Sequence, residues 1–314
     1  RFTCVWFRYP RLPDRSKYYD MICIYHSKDL DGYCSGAIVK LKFPDAKLIG
    51  YDYGQQFPWD DIEVGKPVIM IDVSLPMIDM GKLAELTNHQ LTWIDHHVSA
   101  INDYKNSSDI GLGGVTPVLE DGISACEGGW KYLFPDVRMP MAVKLLGEYD
   151  TWRNKDKDRW DRYIMPFQYG MRMKCQSAET FPQELLKQEG NESISFGAVN
   201  EMIVVGGAIL SYQKTQNERA CKSAFEVEFE GLKGIALNNG GANSQVFESV
   251  YNPEIHDVMI PFVFTGKHWT FSLYTTKDEV DCSVIAKSKG GGGHKKAAGF
   301  QLKELPDEFK IHVQ

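Results

Sequence analysis

The sequence predicts an α/β protein in which a doubly wound, mainly parallel sheet is joined by a helical connector to a smaller α/β C-terminal domain. Three observations carry this. Through the first half, short apolar runs of strand composition alternate with segments of helical periodicity, the pattern of βαβ units around a parallel sheet. A long helical segment follows, whose polar second half, Gln213 to Arg219, suits a connector. Beyond it a second group of strand-like runs begins.

Met21 to Tyr25 is apolar and followed by a polar turn, so it reads as the first strand, with Tyr33 to Phe43 as the helix after it. Leu48 to Tyr53 and Pro67 to Asp72 read as strands, Met77 to Leu86 as a helix, and Gln90 to Asp95 as another strand. Helical spacing returns over Ile123 to Phe134, Met139 to Tyr149 and Gly197 to Cys221. In the second half Phe225 to Phe229, Gly234 to Leu237, Val258 to Phe264 and Trp269 to Tyr274 read as strands, before Val284 to Lys287 and a glycine run. These limits give a first domain over 21–190, a connector over 191–222 and a second domain over 223–314; residues 1–20 fit no element and receive no role.

Composition narrows the function. At 43% hydrophobic residues the chain can bury a full core, yet its apolar runs stop well short of a bilayer span, which needs about 18–20 residues. No membrane role is expected. The first residues lack the apolar stretch of a secretory signal, and seven scattered cysteines without a Cys-x-x-Cys pair argue against a disulfide frame or a thiolate zinc site. A reducing cytoplasm fits best. The net charge of −7 disfavours a broad grip on long duplex nucleic acid, so a phosphate-bearing ligand needs a local positive centre: a metal, a nest of backbone amides or a few placed cations.

In parallel sheets ligands bind beyond the carboxyl ends of the strands, and acids and histidines gather at those ends here. The first strand is followed by His26-Ser-Lys-Asp29-Leu-Asp31-Gly32, the third by Asp72, the fourth by Asp95-His96-His97. Each alone reads more readily as an ordinary turn, cap or satisfied polar residue. Converging strand ends bring His26, Asp29, Asp31, Asp72 and His96 together, and hard or borderline donors without cysteine suit Mn²⁺ or Mg²⁺. Packed carboxylates repel; two cations about 3.5–4 Å apart that share one carboxylate relieve this and activate water toward a phosphoryl group.

Asp95-His96-His97, with His-x-x-Asp-x-Asp-Gly upstream and Gly-Gly-Gly-His-x-x-Ala-Ala-Gly downstream, resembles the DHH phosphoesterase superfamily with its DHH-associated C-terminal domain. The likeness covers nearly the whole chain after Met21, and the Asp-His-His triplet and the glycine-histidine motif stand in the family's order. It implies that His26 and Asp29 bind one metal, Asp31, His96 and Asp150 the other, with Asp72 bridging. It implies that Asp95 orients a ligand histidine through its ring N–H and that His97 serves the scissile phosphate or its leaving oxygen. In the second domain it makes Gly290, Gly291, Gly292, Gly293 and His294 an anion-binding element, with Ser244 as a polar contact. Two departures stand out. His26 precedes Asp29 by three residues where four is commoner, and Tyr274 stands where relatives often present an arginine, with Lys277 or Lys287 as compensating cations and base stacking as another use of the tyrosine.

The resemblance thus implies a metal-dependent phosphodiesterase with two divalent ions, Mn²⁺ first and Mg²⁺ or Co²⁺ as alternatives. Its expected substrate is a short RNA or DNA oligonucleotide or a dinucleotide cleaved to mononucleotides, and relatives often form homodimers. Alternative readings are a RecJ-like single-strand exonuclease, a cyclic-dinucleotide or 3′,5′-bisphosphate nucleoside hydrolase, and a non-catalytic nucleotide-binding module. A manganese pyrophosphatase is disfavoured, because its C-terminal domain lacks the glycine-histidine motif present here.

Overall fold

The computed structural model describes residues 21–107, 112–187 and 192–310, with side chains at 192–195 left aside. Residues 1–20, Cys4 among them, and the expected 190/191 boundary lie outside the described residues. The chain divides into two compact units between Ile209 and Leu210, inside the helix Glu192–Ala220.

The first unit is built on a five-stranded, all-parallel sheet of β1 (Ile22–His26), β2 (Lys47–Tyr51), β3 (Val68–Ile71), β4 (Leu91–Asp95) and β5 (Thr116–Leu119), in the order β2-β1-β3-β4-β5. Alternate residues of β1 serve opposite faces, as the pleat requires. Cys23 and Tyr25 join one apolar core with helices α1 (Leu30–Lys42), α4 (Ala125–Leu133) and α5 (Met141–Asp150). Ile22 and Ile24 join the other, with α2 (Met77–Leu86) and α3 (Val98–Lys105). The sheet is therefore covered on both faces, which explains its near-continuous apolar strands.

Between β1 and β3 the strand order reverses, and a crevice opens at such a switch point. Several elements, the helix Met165–Lys174 among them, are not expected from the sequence, and for two the structure gives a physical reason. Strand β5 lies at the sheet edge and contains Pro117, a residue that argues against a strand in sequence. Helix α3 buries only Ala100 and Ile101, too narrow a stripe to register.

The second unit carries a six-stranded mixed sheet, β10-β11-β9-β8-β7-β6, made of β6 (Phe225–Phe229), β7 (Leu232–Asn238), β8 (Val258–Phe264), β9 (Trp269–Tyr274), β10 (Gly292–His294) and β11 (Ala297–Leu302). Only β7 and β8 run parallel. One face packs Ala236, Ile260, Phe271 and Phe300, the other Ile235, Leu237 and Met259. The six described cysteines are free and buried, and no helix of the described residues is long and apolar enough to cross a membrane.

Candidate metal centre

The centre is assembled from the carboxyl ends of β1, β3 and β4. After His26 the chain turns sharply into α1, and Asp29 caps that helix by accepting the Gly32 N–H at 3.0 Å. Only glycine fits at 32, since a Cβ there would lie 1.9 Å from the His26 carbonyl oxygen. This close approach holds the two acids of the turn beside the histidine. Asp31 is buried at the start of α1, where its two oxygens accept the N–H groups of Ala125 and Cys126, each at 2.9 Å. Those amides open α4, whose N-terminus favours negative charge and is closed by a Ser124–Glu127 capping box.

Asp72 leaves β3 with φ of +63°, a left-handed conformation costing a non-glycine residue about 1–3 kcal/mol. That strain places a buried carboxylate between two histidines. Asp72 Oδ2 lies 3.5 Å from His26 Nδ1, and Asp72 Oδ1 lies 3.3 Å from His96 Nε2. His26 Nδ1 is also 3.1 Å from Asp29 Oδ2, while His96 Nε2 is 3.4 Å from Asp150 Oδ2 and 3.8 Å from Asp31 Oδ2. Three donor sets result among the described residues, His26-Asp29-Asp72, Asp31-His96-Asp150 and Asp72-Asp95-His96-His97, each with its ligand atoms within 4.8 Å of one another.

The electrostatics show a cluster under tension. Burial disfavours a charged imidazole, yet Asp29 and Asp72 outweigh it and raise His26 to about 10. Asp72 and Asp31 likewise raise His96 to about 9. Burial, then the charges of Asp72 and Asp150, hold Asp31 well above the usual carboxylate range, and burial with Asp72 pushes Asp150 up to about 6. His26 Nδ1 and Asp72 Oδ2 are buried without hydrogen-bond geometry to any partner. Orphaned polar atoms amid crowded carboxylates fit cations: imidazole and carboxylate donors with no thiolate suit Mn²⁺ and similar ions, and a shared carboxylate suits a pair.

Two histidine neighbours differ from expectation. Asp95 does not meet the ring of a metal-facing histidine: its Oδ1 contacts His97 Nδ1 at 2.7 Å and accepts the backbone N–H groups of His96 at 2.7 Å and His97 at 3.0 Å. These bonds make Asp95 the anchor of the loop after β4, and the ring it contacts is that of His97. Asp52, absent from the sequence reading, lies 3.3 Å from His26 Nε2, and the Tyr53 ring stands 5.7 Å from that of His26 and 6.5 Å from that of His97. Asp52 follows a strand end as the other acids do, but that strand ends at Tyr51, two residues short of the expected Tyr53.

The second-unit candidates form a separate group. Register aligns His294, Ala297 and Tyr274 across β10, β11 and β9, so His294 and Tyr274 share a face with small Ala297 between them. The glycine run is less open than an amide nest requires. The N–H groups of Gly290 and Gly291 donate to Lys287 and Ala286 carbonyls as the helix Cys282–Ser288 ends, and Gly292, Gly293 and His294 pair with Gly299, Ala298 and Ala297 of β11. Ser244 opens the short 3₁₀ helix Ser244–Ser249. Lys277, one of the two lysines expected to compensate for the missing arginine, is paired with Asp257 at 2.7 Å.

No family model matches the chain. A curated relative, the uncharacterized protein R106 of Acanthamoeba polyphaga mimivirus, is 27% identical over 247 residues, 75% of this chain and 53% of that protein, so the chain spans about half its length. Among solved structures, a pGpG-specific phosphodiesterase from Vibrio cholerae aligns at TM-score 0.50 and 13% identity, over 94% of this chain and 96% of that one. That structure shares the two-domain fold. An exopolyphosphatase-related protein from Bacteroides fragilis aligns at TM-score 0.40 and 12% identity, over 93% of this chain and 89% of that one.

Proposed function

We propose that the chain is a metal-dependent phosphodiesterase that cleaves short oligonucleotides or dinucleotides to mononucleotides. The observation that carries this is the carboxylate of Asp72, whose two oxygens face His26 on one side and His96 on the other. His26, Asp29 and Asp72 would hold one divalent ion, and Asp31, His96, Asp150 and Asp72 the second. Such ions supply Lewis acidity to a phosphoryl oxygen and acidify water.

The protein's own groups complete the chemistry. Asp95, buried and fixed at the end of β4, raises His97 above an ordinary histidine against the penalty of burial. With Nδ1 engaged by Asp95, Nε2 is left to donate a proton to the departing oxygen. The His97 side chain is 40% exposed, open enough to reach a substrate. Gly292, Gly293, His294 and Tyr274 serve as the recognition group for a terminal phosphate and its nucleoside, with Ser244 as a polar contact. The resemblance in the motifs and the fold shared with a pGpG-specific phosphodiesterase support a nucleotide phosphodiester.

The test is incubation of metal-stripped protein, with and without Mn²⁺, with a 5′-phosphorylated dinucleotide, resolving the products by chromatography. Mononucleotides released only with metal are the expected result. Absence of bound metal would sink this reading and favour a nucleotide-binding module. Two bound ions without product would move the substrate to cyclic dinucleotides, bisphosphate nucleosides or longer single strands.

A further inference from the structure

The end of α5 carries an unusual residue in an unusual place. After Asp150 the helix closes with paired bonds: the Trp152 N–H donates to the Tyr149 carbonyl at 3.1 Å, and the Arg153 N–H to the Glu148 carbonyl at 2.9 Å. This closure requires a left-handed residue at its pivot, a position where glycine is strongly favoured. Here the pivot is Trp152, at φ of +53°. A tryptophan gains little stability from such a position, because the residue is 61% exposed.

A second irregularity touches the first. The Trp152 ring packs edge-on against Trp160 at 4.9 Å, and Trp160 begins a π-helical turn, Trp160–Ile164, a deviation that recurs at functional sites. Trp160 is buried and stacks on Tyr149 at 5.7 Å and 7°, so the exposed indole rests on a rigid aromatic base. Strained backbone and a π-turn thus meet two residues beyond a carboxylate of the metal centre. An exposed aromatic ring that is already immobilised loses little freedom on binding a flat ligand.

We infer that Trp152 is a stacking platform for a nucleobase of the substrate, and so a specificity-determining residue that favours nucleotides over base-free phosphoesters. This rests on the phosphodiesterase reading for the identity of the ligand. Indole offers a π-face to any base, so the preference is for the presence of a base rather than for its identity.

The test compares the Mn²⁺-loaded full chain with Trp152→Gly and Trp152→Phe. Calorimetry measures the affinity of each for 5′-AMP and for ribose 5-phosphate. The parent should bind 5′-AMP at least about fivefold more tightly than ribose 5-phosphate. Trp152→Gly should bring the two within about twofold and Trp152→Phe should keep most of the preference. Because glycine suits the left-handed pivot, Trp152→Gly should melt at or above the parent's temperature.

A preference that persists in Trp152→Gly, or is absent from the parent, overturns the platform. A melting point lower by more than about 5 °C assigns the indole to structure instead, and a changed oligomeric state with unchanged preference assigns it to contact between chains. Turnover of the dinucleotide, measured in parallel, separates the two ideas. A base preference that depends on Trp152 without turnover removes the phosphodiesterase reading alone; turnover without that preference removes the platform alone.

Discussion

The metal-centre edge of the first unit and the glycine edge of the second place their candidate residues by opposite logic. In the first, each group is fixed by a local device whose stability cost serves the cluster: Asp72 in a left-handed conformation, Asp31 buried at a helix N-terminus, Gly32 admitted by a 1.9 Å approach. Carboxylates and imidazoles converge there although their charges resist it. In the second, glycines permit a tight antiparallel edge. A Cβ on Gly291 would lie 2.1 Å from the Gly299 carbonyl oxygen, and Gly293 has φ of +138° with Ala298 Cα 2.5 Å from its virtual Cβ. Clustered acids at strand ends are hard to explain by folding alone, whereas a glycine run is largely explained by it.

That difference is broken most sharply at Asp72. Asp72→Ala should reduce turnover by at least about a thousandfold, the scale expected when several kcal/mol of transition-state stabilisation is lost. Circular dichroism and melting should show an intact fold, since a buried negative charge leaves with the bridge. Retained activity with two ions bound would end the bridging assignment.

Acidity should separate the units next. His26 near 10 and His96 near 9 carry protons at neutral pH and must lose them to ligate. Both lie above their unfolded value of about 6.5, so without metal they stabilise the fold fully below that pH. The contribution is lost as pH rises through about 9 to 10. Metal reverses the trend: Mn²⁺ affinity should rise by roughly tenfold or more per pH unit from 6.5 to 8.5, as more than one proton leaves. Calorimetry in buffers of different ionisation enthalpy counts those protons. A pH-independent affinity would place the ions elsewhere.

How much of this was legible in the sequence follows from the same contrast. Residues brought together by strand ends, His26, Asp29, Asp31, Asp72 and His96, were readable because a parallel sheet dictates where its strands stop. Asp150 came through a motif resemblance and falls within 3.4 Å of His96. Asp52 and the partner of Asp95 were not readable, because a strand end misplaced by two residues or a local turn decides which neighbour a carboxylate meets. The strain at Trp152 is likewise a backbone property that no spacing reveals. In the second unit, the row of His294, Ala297 and Tyr274 depends on hairpin register, set by the Lys295-Lys296 turn rather than by any periodicity.

His294→Ala sharpens the comparison at a smaller scale. Loss of one donor to a terminal phosphate should raise KM about tenfold with kcat within about threefold and Mn²⁺ stoichiometry unchanged. A drop in kcat with KM preserved would move His294 out of substrate binding and into the chemistry.

The glycines give the smallest effect and the finest cut. Gly293→Ala forces a side chain onto Ala298 at a backbone angle that L-residues avoid, and should cost about 2 kcal/mol or more of stability in the second unit. Gly292→Ala meets nothing within 4 Å and should change stability by less than about 0.5 kcal/mol. Because the fold tolerates that methyl group, any loss of substrate affinity in Gly292→Ala must come from the ligand's approach to the backbone. An unchanged KM would leave His294 without help from this loop and confine its glycines to shaping the β10–β11 edge.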